Sequence, residues 1–139
     1  MDIEHSPGFE IPDGEILYRY CRPESFPEDQ PEIPLGVFND KEMSCDWAYY
    51  QKNPSSSFHI TEGRSLIIAI TITDAIRNPT NPKRTGQVVP DWHQNIVYDP
   101  ILKVDAYGHE PNISHSLIDG LKKGAVKEAL RDSSEIINR

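Results

Sequence analysis

His115 sits in Ser114-His115-Ser116-Leu117-Ile118, where polar and apolar residues meet at the start of an element. Imidazole titrates near neutrality, so a histidine there can act as general base, general acid or phosphate donor. The same position also suits a half-buried ring bonded to backbone carbonyls. His93 and His109 share that third of the chain, and His93 closes the cluster Asp91-Trp92-His93. Tryptophan offers a large apolar face and one N–H donor, which suits stacking a base or anchoring a partner. Trp92 follows Pro90 in a turn-rich stretch and is read as the exposed anchor, whereas Trp47, in Asp46-Trp47, is assigned to the core. His109 and His115 with Glu110 or Asp119 match no standard zinc or iron spacing, and Cys-x-x-Cys is absent, so no metal is expected. Triads assemble from distant positions, but the chain has no Gly-x-Ser-x-Gly elbow. It has no Gly-rich phosphate loop either, so no cofactor is read from a motif.

Arg19 lies in Leu17-Tyr18-Arg19-Tyr20. That run resembles the first strand of some ADP-ribosyltransferase-like toxins, and His115 could occupy a later polar position of the same site. The resemblance implies that Arg19 contacts the phosphates of a nicotinamide dinucleotide. It covers only those residues: no catalytic glutamate follows a matching strand, and the chain is short for a complete fold of that kind.

The charge of the chain is uneven. Residues 1–32 carry nine acids against Arg19 and Arg22, −7 of the formal −8, together with five of the twelve prolines. Such a segment repels phosphate backbones and suits a basic protein partner, with Glu24, Glu28 and Asp29 as binding residues. Lys122, Lys123, Lys127 and Arg131 are interleaved with Glu128 and Asp132, a solvated helix face more than a nucleic-acid footprint. The first residues are acidic where a signal peptide would be basic, so the expected compartment is the cytoplasm, with Cys21 and Cys45 reduced.

The elements that must position these groups follow from patterning. Residues 1–14 read as an irregular acidic arm, and 15–139 as a single globular domain. Glu15–Cys21 reads as a strand with Ile16, Tyr18 and Tyr20 on one face, and Arg22–Pro34 as a long loop. Leu35–Phe38 is a short extended piece. Asn39–Asn53 reads as a helix: Asn39 caps it, Glu42 completes a capping box, and Met43, Trp47 and Tyr50 form the buried stripe. Leu66–Thr73 is a central strand covered on both faces. Asp74–Thr85 is turn and loop, with short strands at Gln87–Val89, Asn95–Tyr98 and Ile101–Ala106. A C-terminal helix begins at Ile113 or Leu121 and runs to about Ile137, with Leu121, Ala125, Ala129 and Leu130 as its apolar face. The sum is an α+β fold with a small mixed or antiparallel sheet of about five short strands, a helix near 40–52 and a C-terminal helix.

Two functional readings follow. One is a small acidic interaction module of the accessory, inhibitor or immunity kind, anchored through Trp92. The other is a small enzyme or toxin-like domain acting on a nucleotide or RNA, with Arg19 and His115 at the site and His93 or Asp91 assisting.

Overall fold

The Ile-rich run Leu66–Thr71 forms β3, and residues 66 to 70 are all buried. Only a strand flanked on both edges and covered on both faces can bury such a run. In the computed structural model, which describes residues 3–84, 86–104, 106, 108 and 110–139, β3 lies between β1 (Ile16–Cys21) and β6 (Ser134–Asn138). β1 pairs onward with β2 (Glu42–Trp47), β2 with β5 (His115–Asp119), and β5 with β4 (Asn95–Tyr98). All pairings are antiparallel, and the order is β4-β5-β2-β1-β3-β6. The fold is α+β, as expected, with a C-terminal helix α3 (Gly124–Asp132).

Alternation assigns the two faces of the sheet. Leu17, Met43, Cys45, Trp47, Ile68, Ile70 and Ile118 build the main core, closed by Val126 and Leu130 of α3 and Ile76 of α2 (Asp74–Arg77). The opposite face carries Tyr18, Tyr20, Ser44, Asp46 and His115, with α1 (Phe58–Thr61) laid against Tyr20. No helix among the described residues is long and apolar enough to cross a membrane.

Several local expectations are corrected. Asn39–Asn53 contains no helix: Glu42–Trp47 is β2, hydrogen-bonded on both edges. Met43 and Trp47 are buried as expected, but Cys45 between them is buried too, so the period is two rather than 3.6. Asn39 ends a 3-10 turn, Leu35–Phe38, and accepts a hydrogen bond from Lys127 Nζ at 3.0 Å instead of capping a helix. The tail is not one helix. Residues 115–119 form β5, the helix is confined to α3, and β6 ends the sheet. Val126, absent from the expected apolar face, is buried, whereas Leu121 is exposed. Gln87–Val89 contributes a single bridge, Thr80 to Val88, and residues 101–106 a single bridge, Ile101 to Asn112, with Asp105 outside the described residues. Asp74–Arg77 is a short helix capped by Thr73 rather than loop.

Residues 8–11 lie along the outer edge of β4. Gly8 N donates to Tyr98 O at 2.7 Å and Ile11 N to Ile96 O at 2.8 Å, while Ile11 is fully buried. His5 is set among Phe9, Trp47, Tyr49, Tyr50 and Tyr98, with Nδ1 2.6 Å from the Tyr50 hydroxyl. Covering the edge strand in this way removes a template for intermolecular pairing. Several of the N-terminal acids are thereby engaged: Glu10 and Asp13 pair with Arg77, and Glu15 accepts from Trp47 Nε1 at 2.8 Å.

The turn after β5 depends on Gly120 for space. A Cβ there would lie 2.6 Å from the His93 carbonyl oxygen and 2.5 Å from Gln94 Nε2. Gln94 is fully buried and donates to Trp92 O and Leu121 O, so it cannot withdraw without losing both bonds. Gly120→Ala is therefore expected to destabilise the fold by ~1–3 kcal/mol. A urea midpoint unchanged from the parent would contradict this.

Candidate functional site

β2 presents Ser44 and Asp46 on the sheet face opposite α3, and β5 sets His115 directly across from Asp46 in the antiparallel register. β1 and β2 share only two register pairs, Leu17 with Trp47 and Tyr18 with Asp46. Beyond them the Arg19 guanidinium enters the gap. Its Nη1 donates to Ser44 O at 3.1 Å and its Nη2 to Asp40 Oδ2 at 2.8 Å. α1 then lays His59 over Tyr20, ring centroids 4.4 Å apart and nearly parallel. Ser57 starts that turn by accepting from His59 N at 3.3 Å, which fixes where the imidazole projects.

These side chains enclose a recess of about 40 Å³ lined by Arg19, Tyr20, Ser44, Cys45, Asp46, His59, Arg64 and His115. A larger cleft of about 270 Å³ shares Ser44, His59, Arg64 and His115 with it, and adds Phe58, Glu62, Ile101, Glu110 and Asn112. An aromatic wall, two imidazoles and two guanidinium groups thus meet in one depression.

The hydrogen bonds select the tautomer of a neutral His115 ring. Its Nδ1 is 2.8 Å from Asp99 O and 3.2 Å from Asp99 Oδ2, both acceptors. The proton therefore sits on Nδ1 in the neutral ring, and Nε2 offers its lone pair to Ser44 Oγ at 3.2 Å. A base oriented by a carboxylate and facing a hydroxyl is the arrangement that activates an oxygen nucleophile.

The floor holds polar atoms in need of partners. Asp46 is 1% exposed; its Oδ1 accepts from Asn112 Nδ2 at 2.7 Å, but its Oδ2 has no hydrogen-bond partner among the described residues. The Tyr20 hydroxyl, His59 Nδ1 and Arg19 Nε are equally unsatisfied. Buried groups of this kind are nearly always paired, so several together mark a place where a ligand or water completes the bonding. Among the described residues no group of three His, Cys, Asp or Glu side chains could hold a metal ion, and His109 lies outside those residues.

Burial sets the protonation states. Desolvation, with the Asp46 charge beside it, pushes the Tyr20 phenol well above its ordinary value, so it stays a neutral donor. Desolvation lowers the pKa of His59, against the pull of Asp46 3.9 Å away. Burial opposes the Arg19 charge, yet Cys45 and Asp40 outweigh it and its pKa rises. Burial drives the Cys45 thiol up to about 12, and Cys21 and Cys45 are free and buried.

His59 makes stability depend on pH. Its folded pKa is below the unfolded value of 6.5, so the unfolded chain takes up the proton first as pH falls. Stability is thus expected to drop below about pH 6.5, and to drop less in His59→Gln. Urea midpoints at pH 7 and pH 5 for both proteins measure it; equal losses would contradict the assignment.

Of the residues singled out from the sequence, Arg19 and His115 line the same recess. His93 and Asp91 do not line it. His93 Nδ1 bonds to Asn78 Oδ1 at 2.9 Å, and Asp91 is exposed in the 3-10 turn Pro90–Trp92. Trp92 is half-buried against the main core. Glu24 and Glu28 line an open groove with Phe26, Leu66 and Arg139, and Asp29 is exposed beside it. Sequence reasoning passed over Ser44, Asp46, His59, Arg64, Asp99 and Asn112. Reading Glu42–Trp47 as a strand would have exposed Ser44 and Asp46 as a polar pair with period two; His59 and Arg64 carry no such signal. Comparison of the chain with protein-family models, curated proteins and solved structures finds no match.

Proposed function

We propose that the protein is a small enzyme acting on a nucleotide, with His115 as general base, Arg64 facing the phosphates, and Arg19, tied to Asp40 and Ser44 O, as the charged wall of the recess. The observation that carries this reading is convergence. Arg19 and His115 line one recess that holds four buried polar atoms without a hydrogen-bond partner among the described residues, on Arg19, Tyr20, Asp46 and His59. The Tyr20–His59 stack and Phe58 offer aromatic faces to a base, and Arg64 makes no ion pair among the described residues. The resemblance of Leu17-Tyr18-Arg19 to ADP-ribosyltransferase-like domains points to a nicotinamide dinucleotide and ADP-ribosyl transfer. Glu62 and Glu110 at the cleft supply carboxylates that no strand pattern in the sequence located.

Titration calorimetry with nicotinamide adenine dinucleotide, and separately with an RNA dinucleotide, tests the reading. Binding of the nicotinamide dinucleotide in the ~1 μM–1 mM range is expected, weakened at least ~10-fold in Arg64→Met. Binding of RNA alone would favour ribonuclease-like chemistry, and binding of neither would overturn the proposal.

A second reading is favoured by the groove at Glu24 and Glu28, two carboxylates beside the Arg139 guanidinium that lies over the Phe26 ring. It suits a basic protein partner, whose affinity would fall steeply with salt and survive His115→Ala.

A further inference from the structure

We propose that the recess reads the amino edge of a nucleobase, so that the bound nucleotide carries an exocyclic amino group beside a ring acceptor, as adenine and cytosine do. The inference rests on the nucleotide reading above and names the base at that site.

Asp46 and Tyr20 carry it. They stand on neighbouring strands and on one face of the sheet, and are 1% and 7% exposed. Both line the recess, yet Asp46 Oδ2 and the Tyr20 hydroxyl have no hydrogen-bond partner among the described residues. Asp46 Oδ1 is already held by Asn112 Nδ2 at 2.7 Å, so Oδ2 is the oxygen left for a ligand. A buried carboxylate oxygen calls for an N–H, and a phenol that burial keeps protonated calls for an acceptor. His59 adds a second acceptor. Its Nε2 faces Asp46 Oδ2 at 3.9 Å, so the neutral ring carries its proton there and keeps a lone pair on Nδ1, which is also without a partner among the described residues. Arg19 Nε adds a second donor.

Two acceptors and two donors around one recess match a planar group that has two N–H bonds next to an acceptor lone pair. An exocyclic amino group brings both hydrogens on one nitrogen, one for Asp46 Oδ2 and one for His59 Nδ1. The adjacent ring nitrogen accepts from Tyr20. A keto base such as hypoxanthine or uracil has a single N–H at that edge, flanked by carbonyl oxygen. It leaves one buried acceptor unpaired and sets an oxygen near the carboxylate. Size agrees with this assignment. A recess of about 40 Å³ admits the edge of a ring, while the adjoining cleft of about 270 Å³ holds the rest. Phe58 lines that cleft with its ring centroid 4.1 Å from that of His59, and offers the base an apolar face.

Titration calorimetry of the full chain with adenosine and inosine monophosphates, and with cytidine and uridine monophosphates, tests the inference. Sugar and phosphate are the same within each pair. In the pair that binds, the amino member should bind at least ~10-fold tighter. Asp46→Asn should cut that ratio to below ~3, because an amide can turn its own N–H toward a keto oxygen. Tyr20→Phe removes one donor and should weaken the amino member by ~2–10-fold, which keeps the test open if Asp46→Asn does not fold. Nicotinamide mononucleotide is the fifth ligand, since its carboxamide offers the same donors and acceptor. A pair bound without amino preference, a preference that survives Asp46→Asn, indifference to Tyr20→Phe, or binding of nicotinamide mononucleotide in place of either pair would each overturn the inference and leave the nucleotide reading standing. Binding of none of the five would overturn both.

Discussion

His115→Gln is expected to lower turnover of the nucleotide substrate by ~10²–10⁴-fold while leaving the fold intact, the range typical for loss of a positioned general base. In barrier terms that is ~3–5 kcal/mol. The size follows from geometry. The neutral ring carries its proton on Nδ1, because both nearby atoms of Asp99 are acceptors, and so presents Nε2 to Ser44. Glutamine can reach either neighbour but cannot take a proton. Because His115 is only half-buried and sits opposite Asp46 in a six-stranded sheet, its replacement should shift stability by less than ~1 kcal/mol. Asp99→Asn should give a smaller loss and a displaced pH–rate profile, since it alters the ring's partner without removing the base. Equal activity of His115→Gln and the parent would remove the base from the account.

Trp47→Ala is expected to produce the largest stability change, ~3–5 kcal/mol. Trp47 is 1% exposed and joins three parts of the molecule. It fills the main core from β2, its Nε1 donates to Glu15, and its ring supports His5 and Phe9 of the N-terminal segment. Truncation leaves a large void, an unpaired carboxylate and an arm without its platform. Against a total stability of about 5–15 kcal/mol, the melting temperature should fall by ~10–15 °C. Trp47→Phe should recover most of the packing but not the hydrogen bond. A fall of under ~3 °C for Trp47→Ala, followed by circular dichroism, would show that the arm and core are not coupled through this ring.

Where one periodicity dominated, the sequence was legible. β3, β4 and β1 lie within two residues of where their apolar content places them, and the α+β class follows from them. Residues 39–53 misled for a physical reason. Met43, Trp47 and Tyr50 satisfy a helical spacing, and Asn39 with Glu42 mimics a capping box, but pairing of β2 with both β1 and β5 outweighs local propensity. In the tail, Gly120 marks a turn and Gly124 a helix start, so a nine-residue helix stands between β5 and β6 instead of one long helix. The site shows the same division. Arg19 and His115 stand out by residue type and meet in the recess, yet Ser44 and Asp46 become visible only once β2 is a strand. His59 reaches Tyr20 from a one-turn helix forty residues downstream, a juxtaposition that no spacing rule encodes.

The acidity of the first 32 residues takes on a narrower meaning as well. Glu10, Asp13, Glu15 and Glu32 have partners within the fold, on Arg77, Trp47 and Arg131. What stays open to a basic partner is the groove of Glu24 and Glu28 with Asp29 beside it, on a different surface from the cleft.

The most direct test of the central claim is to follow the histidine ring resonances by NMR while nicotinamide adenine dinucleotide is added. His59 and His115 line the cleft, whereas His5 is enclosed by the aromatic cluster and His93 is bonded to Asn78, which makes those two internal controls. The His59 and His115 rings should shift together and saturate with one Kd, while His5 and His93 stay in place. Saturable shifts confined to His93 or His5, or no saturable shift at any of the four rings, would contradict that claim.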